Sequence, residues 1–344
     1  MKGIFVKFAK PVIALVVLLS IALYALRHRG APPEASINAK DSVSIRVGTN
    51  RALGTVGPYV ARDKGFFQQQ SVQAQIIDFN DITTLMESIT SGQVDVALVG
   101  IASPAIWQQR GVRLKVVAAA NGGGHVLLTR SDTGIRTLSD LRGRKIATPK
   151  PGTVTDTLFR AYLIQDLAHL DPEKDIKIVP NMAAADMSTV LFASREVDAA
   201  ITWEPFASQA EANYKDHLVL YDAAEEWRRQ HPDKAHLYPV NVVVASQSFI
   251  DAHPDVLRRF LLAYTQTVQF INQQPGEANG LISRETQLDP SIVTAARKRI
   301  DYTAQVDIDA SLKTLAWSVK LGYLKRLPSS EELFDLRFLP QEVR

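Results

Sequence analysis

The feature that most constrains the fold is a pattern that occurs twice, once in each half of the chain. Residues 85–107 predict the end of a helix, a tight turn, a buried strand and the start of a new helix. Residues 190–208 repeat the Val-Asp pair after the turn, and a proline follows at the same offset. Two such units predict two α/β lobes of similar topology, although a junction of this kind can also recur by chance.

A cleft between the two lobes is the expected binding site, because ligands of open α/β sheets bind beyond the carboxyl ends of the strands. Residues 126–129 predict a strand that crosses to the second lobe, and residues 240–245 predict the strand that returns to the first. Three glycines at residues 122–124 precede the crossing strand. They permit either a close approach of backbone to a ligand or a sharp turn.

Composition and charge exclude several classes of function. The net charge of +3 over 344 residues depends on the first thirty residues, which hold five lysines or arginines and no acid. The remainder has 34 basic and 36 acidic residues, a net charge of −2, and is therefore not a basic nucleic-acid binder. The chain has no cysteine, which excludes disulfides, cysteine-ligated zinc and a thiol nucleophile.

Residues 1–30 predict a targeting segment. Several lysines precede an apolar run at residues 11–26 that only Ser20 interrupts. This pattern is typical of a signal peptide, but no good cleavage site follows, so an uncleaved N-terminal membrane anchor is the alternative. Residues 31–42 contain two consecutive prolines and predict a linker. We expect the folded part to be periplasmic or otherwise extracytoplasmic.

The start of a predicted helix near Gly152 is a candidate anion site. Gly152, Thr153 and Thr155 follow a strand, so backbone N–H groups, hydroxyls and the positive end of the helix dipole face the expected cleft. The alternative is that one of the threonines simply caps the helix. The glycine and lysine spacing of a P-loop is absent.

Trp203 and Glu204 follow the second copy of the repeated strand. Together with Pro205 they are equivalent in position to residues 102–104, where we predict that Ser103 is the N-cap of a helix that starts at Pro104. An indole offers a flat apolar wall to a ligand, and a carboxylate offers a partner for an amine. The alternative is a core tryptophan beside a glutamate that caps the next helix.

No enzymatic motif is present in the sequence. The seven histidines show no spacing typical of a metal site, and no G-x-S-x-G nucleophile motif occurs. We therefore predict that the protein is not an enzyme and that it has no catalytic residue, metal site or cofactor.

A set of short motifs, each weak alone, resembles the nitrate/sulfonate/taurine-type solute-binding proteins of ABC importers. The resemblance covers about residues 43–330, and the motifs occur in matching order. They are RVG at 46–48, YVARDKGFF at 59–67, SGQVD at 91–95, LSDLRGRKIA at 138–147, GT at 152–153 and WEP at 203–205.

The resemblance implies an α/β fold of the type II periplasmic-binding class. Two Rossmann-like lobes would be joined by a two-strand hinge, near residues 126–131 and 237–242. The expected limits are 43–129 for the first lobe, 130–238 for the second, and 239–344 for a return to the first lobe with C-terminal helices.

The resemblance also implies a function. An extracytoplasmic solute-binding protein would capture a small organic anion, sulfonate- or taurine-like, and deliver it to the membrane permease of an ABC importer. We expect a monomer that binds no nucleic acid and contacts the membrane only through an uncleaved N-terminal segment. The alternatives are a membrane-tethered ligand sensor of the same fold and a binder of a thiamine-precursor-like heterocycle. Enzymes of this fold that make a thiamine pyrimidine use a cysteine-rich motif, which this chain lacks.

The expected ligand contacts follow from the same resemblance. The negative group is expected on the N–H groups after Gly152, the organic body on Trp203, and any amine at Glu204. The residues expected to bind the ligand are Asn50, Arg51, Leu53, Gly54, Ser103, Asn121, Gly152, Thr153, Thr155, Trp203 and Glu204.

Overall fold

Two β-sheets organise residues 43–343, the part of the chain that this computed structural model describes. The first sheet has six strands in the order β11-β4-β10-β3-β1-β2, and the second has five in the order β7-β6-β8-β5-β9. The strands are β1 Val43–Thr49, β2 Val72–Asp78, β3 Val96–Gly100, β4 Leu114–Gly123, β5 His125–Arg130, β6 Lys145–Ala147, β7 Lys177–Val179, β8 Ala199–Trp203, β9 His217–Asp222, β10 Pro239–Ser246 and β11 Ile300–Tyr302.

Helices connect the strands and cover the sheets. Two of them change character along their length: Val154–Thr157 continues as the π-helix Leu158–Leu167, and Ala184–Ser188 continues as the π-helix Thr189–Ala193. The other α-helices are Gly57–Asp63, Phe66–Gln69, Ile82–Thr90, Ala102–Gln108, Phe206–Asn213, Ala223–Gln230, Gln247–Ala252, Pro254–Gln273, Pro275–Thr286, Pro290–Ala296, Ile308–Lys320 and Ser330–Leu333. Short 3₁₀ helices lie at Leu53–Thr55, Ser131–Thr133, Leu138–Leu141 and Gln341–Val343.

The two sheets repeat one topology. In the first, β1 lies between β2 and β3 and is parallel to both, and β3 pairs antiparallel with β10. In the second, β6 lies between β7 and β8 and is parallel to both, and β8 pairs antiparallel with β5. The repeated sequence pattern thus corresponds to β3 and β8, which occupy equivalent places, and the predicted two-lobed α/β fold is confirmed.

The Val-Asp pair of each repeat has the same physical role in both sheets. The Asp95 carboxylate accepts a hydrogen bond from the Arg46 backbone N–H at 2.8 Å, and the Asp198 carboxylate accepts one from the Lys145 N–H at 2.8 Å. The aspartates therefore extend the parallel pairing between β1 and β3 in one sheet and between β6 and β8 in the other. Asp95 also binds the Arg46 side chain, with 2.6 Å between Oδ1 and Nη2.

Apolar cores lie on both faces of each sheet. Along β3, Val96 and Leu98 belong to one core, and Ala97 and Val99 belong to another, as expected when side chains alternate along a strand. The long helix Pro254–Gln273 packs in the first of these cores. The second sheet likewise separates two cores. This double burial explains why the repeated strands are almost wholly apolar.

The chain passes between the sheets twice, once after β4 and once before β10. The strand that we expected to cross, residues 126–129, pairs with β8 and β9 and so belongs entirely to the second sheet. This corrects the assignment of those residues to the first lobe, and it places the connection at the glycines of residues 122–124. The Gly123 N–H donates to the Tyr238 carbonyl at 3.1 Å, so the two connections contact each other directly.

The targeting segment predicted at residues 1–30 and the linker at 31–42 lie outside the described residues. Among residues 43–343, no helix has the length and apolar character needed to cross a membrane.

The close contact at Gly122 predicts that an added methyl group destabilises the protein. A Cβ at this position would lie 2.7 Å from the carbonyl oxygens of both Leu237 and Tyr238. We expect Gly122→Ala to lower the free energy of unfolding by about 1–3 kcal/mol, since backbone atoms must shift. Gly280→Ala is the matched control: nothing lies within 4 Å of its added Cβ, and it should stabilise the helix by about 0.5–1 kcal/mol. Equal effects of the two variants in urea denaturation would contradict this account.

Candidate functional site

A cavity of about 390 Å³ opens where the strands of both sheets end. Its walls include Gly100 at the end of β3, Trp203 at the end of β8, and residues at the start of the antiparallel strands β5 and β10. This is the edge at which open α/β sheets bind ligands. The cavity therefore is the candidate functional site.

The structure brings most of the predicted site residues together at this cavity. Those that line it are Asn50, Arg51, Leu53, Gly54, Asn121, Thr155, Trp203 and Glu204. Ser103, Gly152 and Thr153 do not line it. Lining a cavity is a position and not a contact, so the role of each residue is judged below from its hydrogen bonds and burial.

The loop after β1 packs closely against β4 and β10. The Asn50 side-chain oxygen accepts a hydrogen bond from the Thr55 hydroxyl at 2.5 Å. Asn241 donates from its side chain to the Asn121 side-chain oxygen at 2.7 Å. A Cβ on Gly54 would lie 2.7 Å from that same Asn121 oxygen, so a larger residue would displace the Asn121–Asn241 pair. Part of the polar wall is thus already occupied by contacts within the protein.

Arg51 and Leu53 have different roles in the same loop. The Arg51 side chain is half exposed and binds the carboxylates of Asp78 at 3.2 Å and Glu285 at 2.9 Å. Among the described residues that line the cavity, it is the only cation. Leu53 is buried, and its carbonyl accepts a hydrogen bond from the Tyr302 hydroxyl at 2.6 Å. Leu53 therefore fixes the loop rather than presenting a polar group.

The anion site predicted at Gly152 is partly occupied by the protein itself. The Gly152 N–H donates to the Asp156 carboxylate at 3.2 Å, and the Thr153 hydroxyl caps its own helix by accepting from the Asp156 N–H at 3.3 Å. The capping alternative is therefore correct for Thr153, and neither residue reaches the cavity. Asp156 is fully buried and forms an ion pair with Arg160 at 2.8 Å.

Thr155 and the first amides of the helix are not bound by the described part of the protein, in contrast to Gly152 and Thr153. Val154 and Thr155 both line it, and their N–H groups have no hydrogen-bond partner among residues 43–343. The Thr155 hydroxyl likewise has no partner in that part of the chain, and it is not a fully occluded atom. Donors of this kind at a helix start suit a negative group.

Ser103 does not cap a helix as predicted. The helix begins one residue earlier, at Ala102, with Ile101 before it and no side-chain hydrogen bond at its start. The backbone of Ile101 already has helical angles, φ −57° and ψ −27°, and therefore leaves no place for a serine cap after it. Ser103 lies within the first turn of the helix and away from the cavity.

Trp203 forms an aromatic wall together with Phe206. Their ring centroids are 5.8 Å apart at an interplanar angle of 83°, an edge-to-face contact. Both line the cavity and both are only partly buried. Trp203 therefore presents a partly exposed aromatic ring at the cavity, and its contact with a ligand stays a prediction.

Glu204 does not offer its carboxylate to a ligand, which corrects the role predicted for it. Its side chain has no exposed surface, and Oε1 lies 2.9 Å from Nη1 of Arg299. The other oxygen accepts from the Ser208 N–H at 3.1 Å and so caps the following helix. Burial raises the pKa of the Glu204 carboxyl, and the hydrogen bonds from Arg299 and Ser208 oppose that rise.

Arg299 also forms ion pairs with two more carboxylates of the second lobe. Its guanidinium lies 2.7 Å from Glu211 and 2.5 Å from Asp222. Burial disfavours its charge, but the hydrogen bonds with Asp222 and Glu204 outweigh burial and leave the pKa of Arg299 above its ordinary value. Because Arg299 directly precedes β11 of the first sheet, this cluster ties the two sheets together.

Sequence reasoning missed several residues of the cavity wall, among them Asn241 and His125. Asn241 is the one amide in the otherwise apolar run of β10, and a polar residue in a buried strand is a signal that could have identified it. His125 follows the three glycines, is 2% exposed, and places Nδ1 at 2.6 Å from the Tyr238 hydroxyl. Burial lowers the pKa of His125 to about 4, so the imidazole is neutral at pH 7.

Among residues 43–343, no group of three or more histidine, aspartate or glutamate side chains could hold a metal ion. The charged residues of the wall, Arg51 and Glu204, are paired with protein groups as described above.

A family model described as "NMT1/THI5 like" matches residues 54–278. A putative aliphatic sulfonates-binding protein from Bacillus subtilis (strain 168) is 24% identical over 305 residues, which cover 87% of this chain and 86% of that protein. A putative binding protein from Brucella abortus (strain 2308) is 23% identical over 272 residues, which cover 78% of this chain and 80% of that protein.

Solved structures share the fold at lower identity. The periplasmic nitrate-binding protein NrtA from Synechocystis PCC 6803 has a TM-score of 0.70 at 14% identity, covering 87% of each chain. The periplasmic aliphatic sulphonate binding protein SsuA from Escherichia coli has a TM-score of 0.68 at 17% identity, covering 86% of this chain and 91% of that one. The predicted periplasmic-binding fold is confirmed. These relatives are named as binding proteins and not as enzymes, in agreement with the prediction.

The Arg299 cluster predicts a large effect on stability. Arg299→Ala should lower the free energy of unfolding by about 3–5 kcal/mol, because it leaves the buried charge of Glu204 without a partner. The double variant Arg299→Ala/Glu204→Gln should recover part of that loss. As a control, Arg258→Ala breaks an exposed pair with Asp255 and should change stability by about 0.5 kcal/mol or less. A loss of similar size at Arg258, measured by chemical denaturation, would show that burial is not the cause.

Proposed function

Because the chain belongs to the NMT1/THI5-like family, we propose that it binds a small organic anion, sulfonate-like, in the cavity between its two sheets. It is a substrate-binding protein of the kind that serves ABC-type importers. In the proposed function it captures this anion outside the cytoplasm, as a monomer, and delivers it to an importer permease. The observation that carries the proposal is the open helix start at Val154 and Thr155 beside an aromatic wall.

The negative group is proposed to bind at that helix start. The N–H groups of Val154 and Thr155 and the Thr155 hydroxyl have no partner in residues 43–343, so an oxyanion can accept hydrogen bonds from them. The helix continues to Leu167, and its dipole favours negative charge at this end. Arg51 contributes a further positive charge in the wall, and its ion pairs with Asp78 and Glu285 partly neutralise that charge.

The organic part of the ligand is proposed to contact Trp203 and Phe206. Apolar side chains of Val240, Leu288 and Ile300 complete this side of the cavity. Such a surface favours a ligand with a hydrocarbon body over a bare inorganic anion, because burial of apolar area supplies binding energy. A cavity volume of about 390 Å³ matches a ligand of few heavy atoms.

The ligand needs no amine. Glu204, which we expected to bind one, is fully buried and already holds Arg299 and the Ser208 N–H. An aliphatic sulfonate therefore fits the site better than a zwitterion such as taurine. Neither the cavity nor the named relatives favour the membrane-tethered sensor or the thiamine-precursor binder over an importer's binding protein.

The two connections between the sheets are proposed to act as a hinge. They run side by side, and the Gly123 N–H and the Tyr238 carbonyl join them. Rotation about two adjacent strands would open the cavity to solvent and close it over a ligand.

Calorimetric titration with butanesulfonate tests this proposal. We expect one bound molecule per chain, and much weaker binding of butanesulfonamide, its neutral counterpart. Trp203→Ala should weaken butanesulfonate binding by about tenfold or more, because the alkyl chain loses apolar contact. Trp107→Ala is the matched control: Trp107 packs on a core of the first sheet outside the cavity, and its loss should leave the affinity unchanged. No binding of any aliphatic sulfonate by the wild-type protein would overturn the proposal.

The two threonines of the helix start provide a second test. Thr155→Val should weaken butanesulfonate binding by about 10- to 100-fold, since a hydrogen bond to a charged group contributes about 1.5–3 kcal/mol. Thr153→Val should leave the affinity near that of the wild type and lower stability by about 1 kcal/mol, because Thr153 only caps the helix. The reverse assignment of the two effects would place the anion outside the cavity.

A further inference from the structure

The pair formed by His125 and Tyr238 lies at the place where ligand and hinge meet. His125 is the first residue of β5 and stands opposite Trp203 in the antiparallel register with β8. Tyr238 directly precedes β10, on the other connection between the sheets. Nδ1 of His125 and the Tyr238 hydroxyl are 2.6 Å apart, and the two rings stack with centroids at 5.8 Å. His125 also lines the cavity, so one residue belongs to both regions.

The direction of this hydrogen bond follows from the burial of Tyr238. Its hydroxyl proton needs an acceptor, because an unpaired buried donor is costly, and Nδ1 of His125 lies 2.6 Å away. The His125 backbone N–H also contacts this hydroxyl, but an N–H can only donate. Tyr238 therefore donates, and Nδ1 accepts. A neutral imidazole that accepts at Nδ1 carries its proton on Nε2.

The imidazole is neutral because nothing near it stabilises a charge. Burial lowers the pKa of His125 to about 4, and no carboxylate contacts the ring in the described part of the chain. The nearby carboxylate of Glu204 is turned to Arg299 and to the Ser208 N–H. His125 therefore acts as a single N–H donor of fixed direction and not as a cation.

Nε2 is the free end of this pair. It has no hydrogen-bond partner in residues 43–343, and it is not among the fully occluded polar atoms that lack a partner. Since His125 contributes to the wall of the cavity, a bound molecule is the natural acceptor for this N–H. The register with Trp203 places this donor beside the aromatic wall, where the body of a ligand would lie.

We propose that His125 is a specificity-determining residue that donates a hydrogen bond from Nε2–H to an acceptor atom of the bound ligand, with Tyr238 as the positioning residue that fixes the tautomer. This inference rests on the proposed function for the identity of the ligand. It adds a chemical restriction: the ligand atom that faces His125 is an oxygen or another acceptor. An ammonium or amide N–H at that position would face a donor and leave both groups unpaired.

The tautomer is tested on the full-length protein without any ligand. Nitrogen-15 chemical shifts of the histidine rings distinguish a protonated from an unprotonated ring nitrogen. We expect His125 to be protonated at Nε2 and unprotonated at Nδ1 from pH 6 to pH 8. Tyr238→Phe should convert this to a mixture of tautomers, whereas Tyr162→Phe should not, because the Tyr162 hydroxyl contacts Gln230 at the surface. A proton on Nδ1 in the wild-type protein would overturn the inference.

The ligand contact is tested by calorimetric titration with butanesulfonate. His125→Leu should weaken binding by about 10- to 100-fold, and His125→Gln, which keeps an N–H donor, should recover at least part of that loss. Tyr238→Phe should weaken binding several-fold and Tyr162→Phe not at all. Circular dichroism of each variant confirms that it is folded, and Tyr238→Phe keeps the ring that packs in the core.

Two kinds of failure are distinguishable. If the wild-type protein binds no aliphatic sulfonate, the proposed function is wrong, whatever the state of His125. If the wild-type protein binds butanesulfonate and folded His125→Leu binds it equally well, the proposed function stands and the role of His125 is wrong.

Discussion

The ion pairs of Arg299 are the central constraint on how the two sheets lie against each other. Arg299 precedes β11 of the first sheet and holds three carboxylates of the second lobe, on Glu204, Glu211 and Asp222. A carboxylate as completely buried as that of Glu204 is stable only with a cation beside it, so these elements must lie close together. The Glu204 backbone N–H also donates to the Gly124 carbonyl at 2.9 Å, which extends the constraint to the connection after β4. The aromatic wall at Trp203 is positioned as a consequence.

The polar groups that the cavity leaves unpaired are mainly hydrogen-bond donors. Asn50, Asn121 and Glu204 have partners within the protein. The donors that remain include the start of the helix at Val154 and Thr155 and, by the argument above, Nε2 of His125. A set of donors around an apolar wall favours an acceptor-rich head group on a hydrocarbon body, and a sulfonate has both parts. The favourable electrostatic potential for the anion comes from the helix dipole and N–H groups more than from a free cation.

The sequence predicted the fold well because the fold follows local signals. The Val-Asp pairs at residues 95 and 198 recur at the same place in each repeat, and apolar strands of this length indicate burial on both faces. The site was harder to predict, since pairing across the fold decides which polar groups are free. The partner of Glu204 is 95 residues away, and His125 and Tyr238 are 113 residues apart. A contact between near neighbours in the sequence was also missed. The Gly152 N–H, which was expected to bind a ligand, donates to the Asp156 carboxylate instead.

Hydrogen–deuterium exchange with and without saturating butanesulfonate tests the central claim most directly, because it locates the ligand without any substitution. If the anion binds in the cavity and the sheets close over it, exchange should slow at the start of the helix after Thr153, around Trp203, and in both connections near His125 and Tyr238. Residues far from the cavity, such as those around Gly280, should exchange at the same rate in both conditions. Slower exchange only at some other surface would contradict the account. An unchanged exchange pattern in a protein shown to bind the anion would contradict it as well.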